Sequence, residues 1–166
     1  MEFRLMTYNI FGARLTDGRE LAKSIKKYKP DFIGLQEVDR NTKRSKFRDV
    51  IQEMAQELGY NYYYFQKAMD FDNGEYGIAF ISKYDVKFIY IHELPGNSKE
   101  KRQVLAAKLN LGRFNKKILV VNTHLDNKIM RKFLSRFGFK EKGLIKLTMK
   151  NILDDKERVA YELEVR

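Results

Sequence analysis

Three short apolar runs constrain this chain more than any other feature, because each is long enough for a buried strand and each ends on a chemically useful polar side chain. In Lys117-Ile118-Leu119-Val120-Val121-Asn122-Thr123-His124-Leu125-Asp126, a continuous apolar stretch rich in β-branched residues gives way to an amide, a hydroxyl, an imidazole and a carboxylate. A run of that kind reads as a strand buried on both faces. Arg4-Leu5-Met6-Thr7-Tyr8-Asn9 ends likewise on an amide, and Asp31-Phe32-Ile33-Gly34-Leu35-Gln36-Glu37 on a carboxylate. Open α/β sheets place their chemistry at the C-terminal ends of strands. Asn9, Glu37 and His124 are therefore expected along one rim.

The rest of the pattern supplies the elements between these runs. Leu21, Ile25 and Tyr28 recur at helical spacing after Thr16 or Asp17 as N-cap, and Pro30 ends that helix before the second strand, giving a right-handed strand-helix-strand unit. Phe47, Val50, Ile51, Met54 and Leu58 form the stripe of a second helix, with Gly59 just past its end. From Tyr60 the period changes to two. Strands are predicted over 60–66, 77–82, 86–92, 103–111 and 118–125, separated by turns at Asp72-Asn73-Gly74, Pro95-Gly96-Asn97 and Gly112. These elements assemble on paper into an α/β fold, one mixed β-sheet with flanking helices on its outer face. His92 and the aromatic run 60–65 read as ordinary sheet positions.

The tail differs. Residues 127–137 form a basic amphipathic helix with Ile129, Met130, Phe133, Leu134 and Phe137 as its stripe, followed by a turn at 140–143 and strands over 144–149 and 158–165. The expected division is thus 1–126 for the main body and 127–166 for a helix and hairpin packed on the same domain.

Charge and cysteine content narrow the function classes. The 33 Lys+Arg against 22 Asp+Glu leave a net charge of +11. A field of that sign draws polyanions, so nucleic acid or another phosphorylated polyanion is the expected partner. The same Lys- and Glu-rich composition also marks proteins of hot environments, and the two readings are compatible. The absence of cysteine excludes thiolate metal sites and agrees with a reducing compartment. No apolar run approaches the roughly 18 residues of a membrane span. A soluble, cytoplasmic protein is expected.

Four segments then make a pattern. Met6-Thr7-Tyr8-Asn9-Ile10, residues 31–38, Tyr76-Gly77-Ile78-Ala79-Phe80-Ile81-Ser82-Lys83 and residues 121–126 resemble, in order and spacing, the first four motifs of the endonuclease/exonuclease/phosphatase superfamily. That family includes deoxyribonuclease I, abasic-site endonucleases, neutral sphingomyelinases and inositol-polyphosphate phosphatases. Arg102-Gln103-Val104-Leu105-Ala106-Ala107 is similar to its arginine-led strand. The resemblance implies a metal-dependent phosphoesterase of nuclease or phosphatase type, built as a four-layer αββα sandwich. Carried over residue by residue, Glu37 would be the main carboxylate ligand of Mg2+ or Mn2+, and Asn9 would assist at the metal or the phosphate. His124 would hydrogen-bond the scissile phosphate or protonate the leaving oxygen, while Arg102 and Asn122 would contact phosphate. Mg2+ prefers hard oxygen ligands and keeps several waters, so one or two carboxylates suffice.

The family's Gly-Asp-Phe-Asn-like and Ser-Asp-His motifs have no counterpart here, and no histidine follows His124. The resemblance therefore implies half of the sandwich, completed by dimerisation in a homo-oligomer. Two alternatives stand beside hydrolysis: a catalytically inactive, polyanion-binding half-domain, and a truncated or recombined chimera that self-associates. Residues 131–143, around Phe137-Gly138-Phe139, resemble the last helix and hairpin of Gcn5-related N-acetyltransferases. That family's pyrophosphate loop is absent, so acetyl transfer is not implied.

Overall fold

The computed structural model describes residues 3–95, 99–111, 117–123, 140–146 and 157–162. The chain forms two compact units, residues 1–124 and 125–166. In the first, β1 (Leu5–Asn9) leads through a short 3-10 turn at Phe11–Ala13 to α1 (Gly18–Lys26), β2 (Phe32–Arg40) and α2 (Val50–Leu58). Five strands follow: β3 (Tyr62–Phe71), β4 (Gly74–Ser82), β5 (Asp85–Glu93), β6 (Gln103–Asn110) and β7 (Lys117–Thr123). The second unit contains β8 (Lys140–Lys146) paired antiparallel with β9 (Glu157–Glu162). The turn expected over 140–143 is thus part of a strand, and the helix expected over 127–137 lies outside the described residues.

Local chemistry sets both helices. The Asp17 carboxylate accepts from the Glu20 amide at 2.9 Å, capping α1. Asp49 does the same for α2 through the Gln52 amide at 3.1 Å, and left-handed Gly59 closes it. Because Asp49 is the cap, Phe47 stands outside the helix its spacing assigned it to. It has a left-handed backbone and is 61 % exposed. Tyr28 also lies past its helix and is exposed.

The strands divide into two sheets rather than one. The first has the order β1-β2-β4-β3, with β1 parallel to β2 and the other pairs antiparallel; the second is the antiparallel set β5-β6-β7. The cause is edge occupancy. β4 is already bonded along both edges, to β2 and β3, so the chain leaving it has no open edge alongside and begins a second sheet.

Each face of the first sheet has its own core. Leu21, Ala22 and Ile25 of α1 and Val50, Ile51, Met54 and Ala55 of α2 pack on Ile33, Leu35, Val38, Ala79 and Ile81. Alternate residues Phe32, Ile78 and Phe80 face Leu105, Ala107, Leu109 and Val120 of the second sheet. The result is three layers of an α/β sandwich: helices, sheet, sheet.

The outer face of the second sheet is open among the described residues. Phe88 and Leu119 share one row through Lys108, Tyr90 lies in the next, and these three apolar residues are 54–58 % exposed. Strand β7 is accordingly buried on one face only, Val120 inward and Leu119 outward, which corrects the two-sided burial expected of it. No helix among the described residues is long and apolar enough to cross a membrane.

Candidate active site

The site begins with a break in the alternation of β2. Ile33 and Leu35 point to the helices, so strict alternation would send Glu37 the same way, into an apolar core. Instead Leu35 pairs with Ala79 and Val38 with Gly77, leaving Gln36 and Glu37 together opposite Ile78 alone. This is a β-bulge, and Glu37 takes the left-handed conformation within it, φ 54°. The extra residue returns Val38 to the helix-side core and turns the Glu37 carboxylate toward the end of β1.

There it meets Asn9. The Asn9 amide donates to Glu37 Oε1 at 2.8 Å, and Asn9 Oδ1 accepts from the Phe11 amide at 3.0 Å. The pairing has a simple origin: Asn9 is in register with Gln36, one residue before Glu37, on neighbouring parallel strands. Two of the three strand ends therefore come together as expected. His124 lies outside the described residues.

Beside Glu37 is a small cleft of about 10 Å3, room for one water-sized group, lined by Tyr76, Glu100, Arg102 and Gln103 among others. Arg102 thus shares the cleft with Glu37, and its guanidinium donates to Glu100 Oε1 at 3.0 Å. Burial pushes the Tyr76 hydroxyl well above its ordinary range, and the negative charges of Glu37 and Glu100 add to it. A tyrosine hydroxyl is protonated at physiological pH in any case, and these surroundings reinforce that state.

Asn122 has a different job from the phosphate contact expected of it. It is 4 % exposed, and both protons of its amide are engaged, one on the Leu35 carbonyl at 2.9 Å and one on the Ala79 carbonyl at 2.7 Å. Its Oδ1 accepts from Gln36 Nε2 at 2.6 Å. A β7 side chain thereby clasps the first sheet at the bulge and has no donor left for a phosphate oxygen.

Asp39 follows Glu37 closely but is fully buried and committed elsewhere. Arg44 grips it with both arms of its fork, one at 2.6 Å, and the Thr42 hydroxyl donates to it at 2.7 Å. Among the described residues no group of three or more acidic or imidazole side chains could hold a metal ion. The donors at the rim are one carboxylate, Glu37, and one amide oxygen, Asn9. Glu37 Oε1 accepts from the Asn9 amide and Asn9 Oδ1 from the Phe11 amide, so the Glu37 carboxylate is the hard oxygen ligand that a largely hydrated Mg2+ or Mn2+ would take here, with Asn9 as its support.

Comparison with known proteins agrees with this architecture. The model of the Endonuclease/Exonuclease/phosphatase family matches residues 6–121. Among curated proteins none matches the chain. Of the similar solved structures, an endonuclease/exonuclease/phosphatase from Beutenbergia cavernae DSM 12333 is 22 % identical, with TM-score 0.65 over 76 % of this chain and 39 % of that one. A family protein from Leptotrichia buccalis C-1013-b is 18 % identical, with TM-score 0.60 over 81 % and 63 %. The mannosyl-6-phosphatase Bt3783 of Bacteroides thetaiotaomicron VPI-5482 is 14 % identical, with TM-score 0.54 over 82 % and 60 %. The chain spans 39–63 % of the length of these structures.

Proposed function

Because the chain belongs to the endonuclease/exonuclease/phosphatase family, we propose that it hydrolyses a phosphate ester at the Glu37–Asn9 rim with the help of Mg2+ or Mn2+. The observation that carries this reading is the bulge that sends a glutamate out of an apolar core to meet an asparagine at 2.8 Å. Glu37 and Asn9 would hold the metal, which when bound supplies charge neutralisation at the phosphoryl oxygens. Arg102 and Tyr76 line the water-sized cleft beside Glu37, so a phosphate bound at its mouth would meet a cationic and a neutral donor there. Asn122 holds the bulge in shape from behind. His124, which follows Thr123 in the sequence, hydrogen-bonds the scissile phosphate or protonates the leaving oxygen. The reaction is in-line attack of water on phosphorus.

The substrate is a nucleic acid or another phosphorylated polyanion, selected by the net charge of +11. The Bacteroides neighbour, named for mannosyl-6-phosphate, supports phosphate-ester chemistry on this fold. A cytoplasmic setting accords with the cysteine-free composition. A second copy covers the apolar outer face around Phe88, Tyr90 and Leu119.

The test is cleavage of supercoiled plasmid and of a chromogenic phosphodiester with Mg2+, comparing wild type with Glu37→Ala and His124→Ala. The wild-type rate should vanish with chelator, and each variant should lose about 100-fold or more. Equal inertness of all three proteins would replace hydrolysis by the alternative of a polyanion-binding half-domain, and equal turnover would remove Glu37 and His124 from the reaction.

A further inference from the structure

Strand β5 has a composition that a border strand normally avoids. It forms one edge of the second sheet and, among the described residues, is bonded to β6 on one side only. Its middle, Phe88-Ile89-Tyr90-Ile91, is four apolar residues in succession, and all four are exposed. Phe88 and Tyr90 stand on the outer face. Ile89 and Ile91 lie opposite Ala107 and Leu105, on the side that faces the first sheet, yet are 38 % and 44 % exposed, so that sheet does not reach beneath β5. An apolar strand exposed on both faces and along one edge is a template for another strand. The edges of the first sheet are better guarded: β1 is five residues long, and β3 carries Lys67 and Asp70 and is broken by a bulge.

The backbone of β5 fixes which groups await a partner. The Leu94 amide bonds to the Arg102 carbonyl directly opposite it at 2.7 Å. Hydrogen-bonded pairs alternate along an antiparallel ladder, so Tyr90 and His92 turn their backbone groups to β6, while Ile89, Ile91 and Glu93 turn theirs outward. A bulge between Val86 and Phe88 ends the regular stretch. Charge then selects a register for pairing β5 with itself about a two-fold axis. Centring on Ile89 sets Asp85 against Glu93, like against like, and centring on Phe88 or Ile91 sets a carboxylate against an isoleucine. Centring on Tyr90 sets Lys87 against Glu93 at both ends, Phe88 against His92, and Ile89 against Ile91, whose outward amides and carbonyls then bond each other. The surface ion pairs that Lys87 and Glu93 make with Asp85 and Lys101 are exposed and offer little resistance.

We propose that two copies of this chain join edge to edge along β5, antiparallel about a two-fold axis at Tyr90, so that two three-stranded sheets become one continuous sheet. The proposal rests on association with a second copy and gives that copy its seat. Edge pairing adds main-chain hydrogen bonds at Ile89 and Ile91 to apolar contact on both faces of the strand. Packing outer face to outer face leaves those backbone groups and both isoleucines in water.

The experiment uses the fact that the chain has no cysteine, so a single introduced thiol reports on the seam without background. Opposed residues of a non-hydrogen-bonded pair have Cα atoms about 4.5 Å apart, inside the roughly 4.4–6.8 Å span of a disulfide. Tyr90→Cys should therefore give a covalent dimer under mild oxidation, whereas Phe88→Cys and Ile89→Cys, out of step with their own copies, should give none. Lys87→Glu and Glu93→Lys should each weaken association roughly ten-fold in sedimentation. An equimolar mixture of those two variants should recover wild-type strength, because opposite charges then meet at both ends of the seam. Residues 87–93 are all exposed, so these changes leave the fold intact. A covalent dimer from Leu119→Cys but not from Tyr90→Cys places the copies face to face and overturns edge pairing alone, as does a mixture no stronger than its components. A wild-type monomer at every concentration refutes the association itself, and this pairing with it.

Discussion

Replacing Asn122 by alanine should be among the most damaging changes to the first unit outside the apolar core, and its cost can be estimated from the hydrogen bonds it removes. The side chain is buried and spends its two donors on the carbonyls of Leu35 and Ala79, the cross-strand pair just before the bulge in β2. A buried carbonyl deprived of its donor costs about 1–3 kcal/mol. Gln36 loses less, because its amide keeps the Thr7 hydroxyl at 3.1 Å and the Gly34 carbonyl at 3.3 Å. Two carbonyls at the lower half of that range give about 3 kcal/mol, a large share of the 5–15 kcal/mol that stabilises a domain. For a chain of this length that is a fall in Tm of about 9 °C. Asn122→Asp, nearly the same size, should be worse than alanine, since it turns an oxygen toward two carbonyl oxygens. Urea unfolding followed by circular dichroism checks both, with the midpoint shifted and the slope unchanged. Gly34 offers an internal control: a Cβ there would lie 2.9 Å from Asn122 Oδ1, so Gly34→Ala should cost less in the Asn122→Ala background than alone. An Asn122→Ala loss below about 1 kcal/mol, accompanied by weakened phosphate binding, would refute the clasp and restore the phosphate contact.

Three further outcomes are expected. Arg44→Ala should cost about 3 kcal/mol by leaving the fully buried Asp39 carboxylate with the Thr42 hydroxyl alone, and adding Asp39→Asn should recover part of the loss in thermal melts. Asp17→Ala should cost about 1 kcal/mol through the lost α1 cap. The Asp17 carboxyl is held below its ordinary range chiefly by the Glu20 amide, so this contribution is complete above the usual carboxylate range. It should disappear as pH falls through the lower folded value, closing the gap between wild type and variant in acid melts. Light scattering should show concentration-dependent association that Phe88→Lys with Tyr90→Lys reduces; a wild-type monomer at every concentration refutes the covered outer face.

What the residues disclosed in advance was what nearest neighbours decide. Asp17 as cap, Gly59 as stop and an apolar strand ending in Asn9 are local facts, and the structure repeats them, whereas β2 continues past Glu37 to Arg40. The division into two sheets was hidden because it depends on which edges β4 has already used, a property of pairing rather than of pattern. Phe47 misled for a related reason: its spacing is helical, but the capping carboxylate lies two residues later. At Asn122 the residue type was legible and its direction was not, since an amide beside a motif can turn toward substrate or toward a carbonyl.

The bulge at Gln36-Glu37 unites these cases and is where the fold and the site become one problem. With strict alternation Glu37 would face α1 and α2, where a carboxylate has no partner among Ile51, Met54 and Ala55, and Val38 would leave that core. One extra residue solves both at the cost of a left-handed glutamate, a strain of about 1–3 kcal/mol. That strain must be held by something outside β2, and two contacts do so: Asn9 on the carboxylate and Asn122 on the Leu35 carbonyl just before the bulge. The asparagines that looked like parallel site residues are therefore complementary. One contacts the Glu37 carboxylate and the other the backbone just before it, so loss of Asn122 should disturb the rim through Glu37 without touching Glu37 or Asn9 directly.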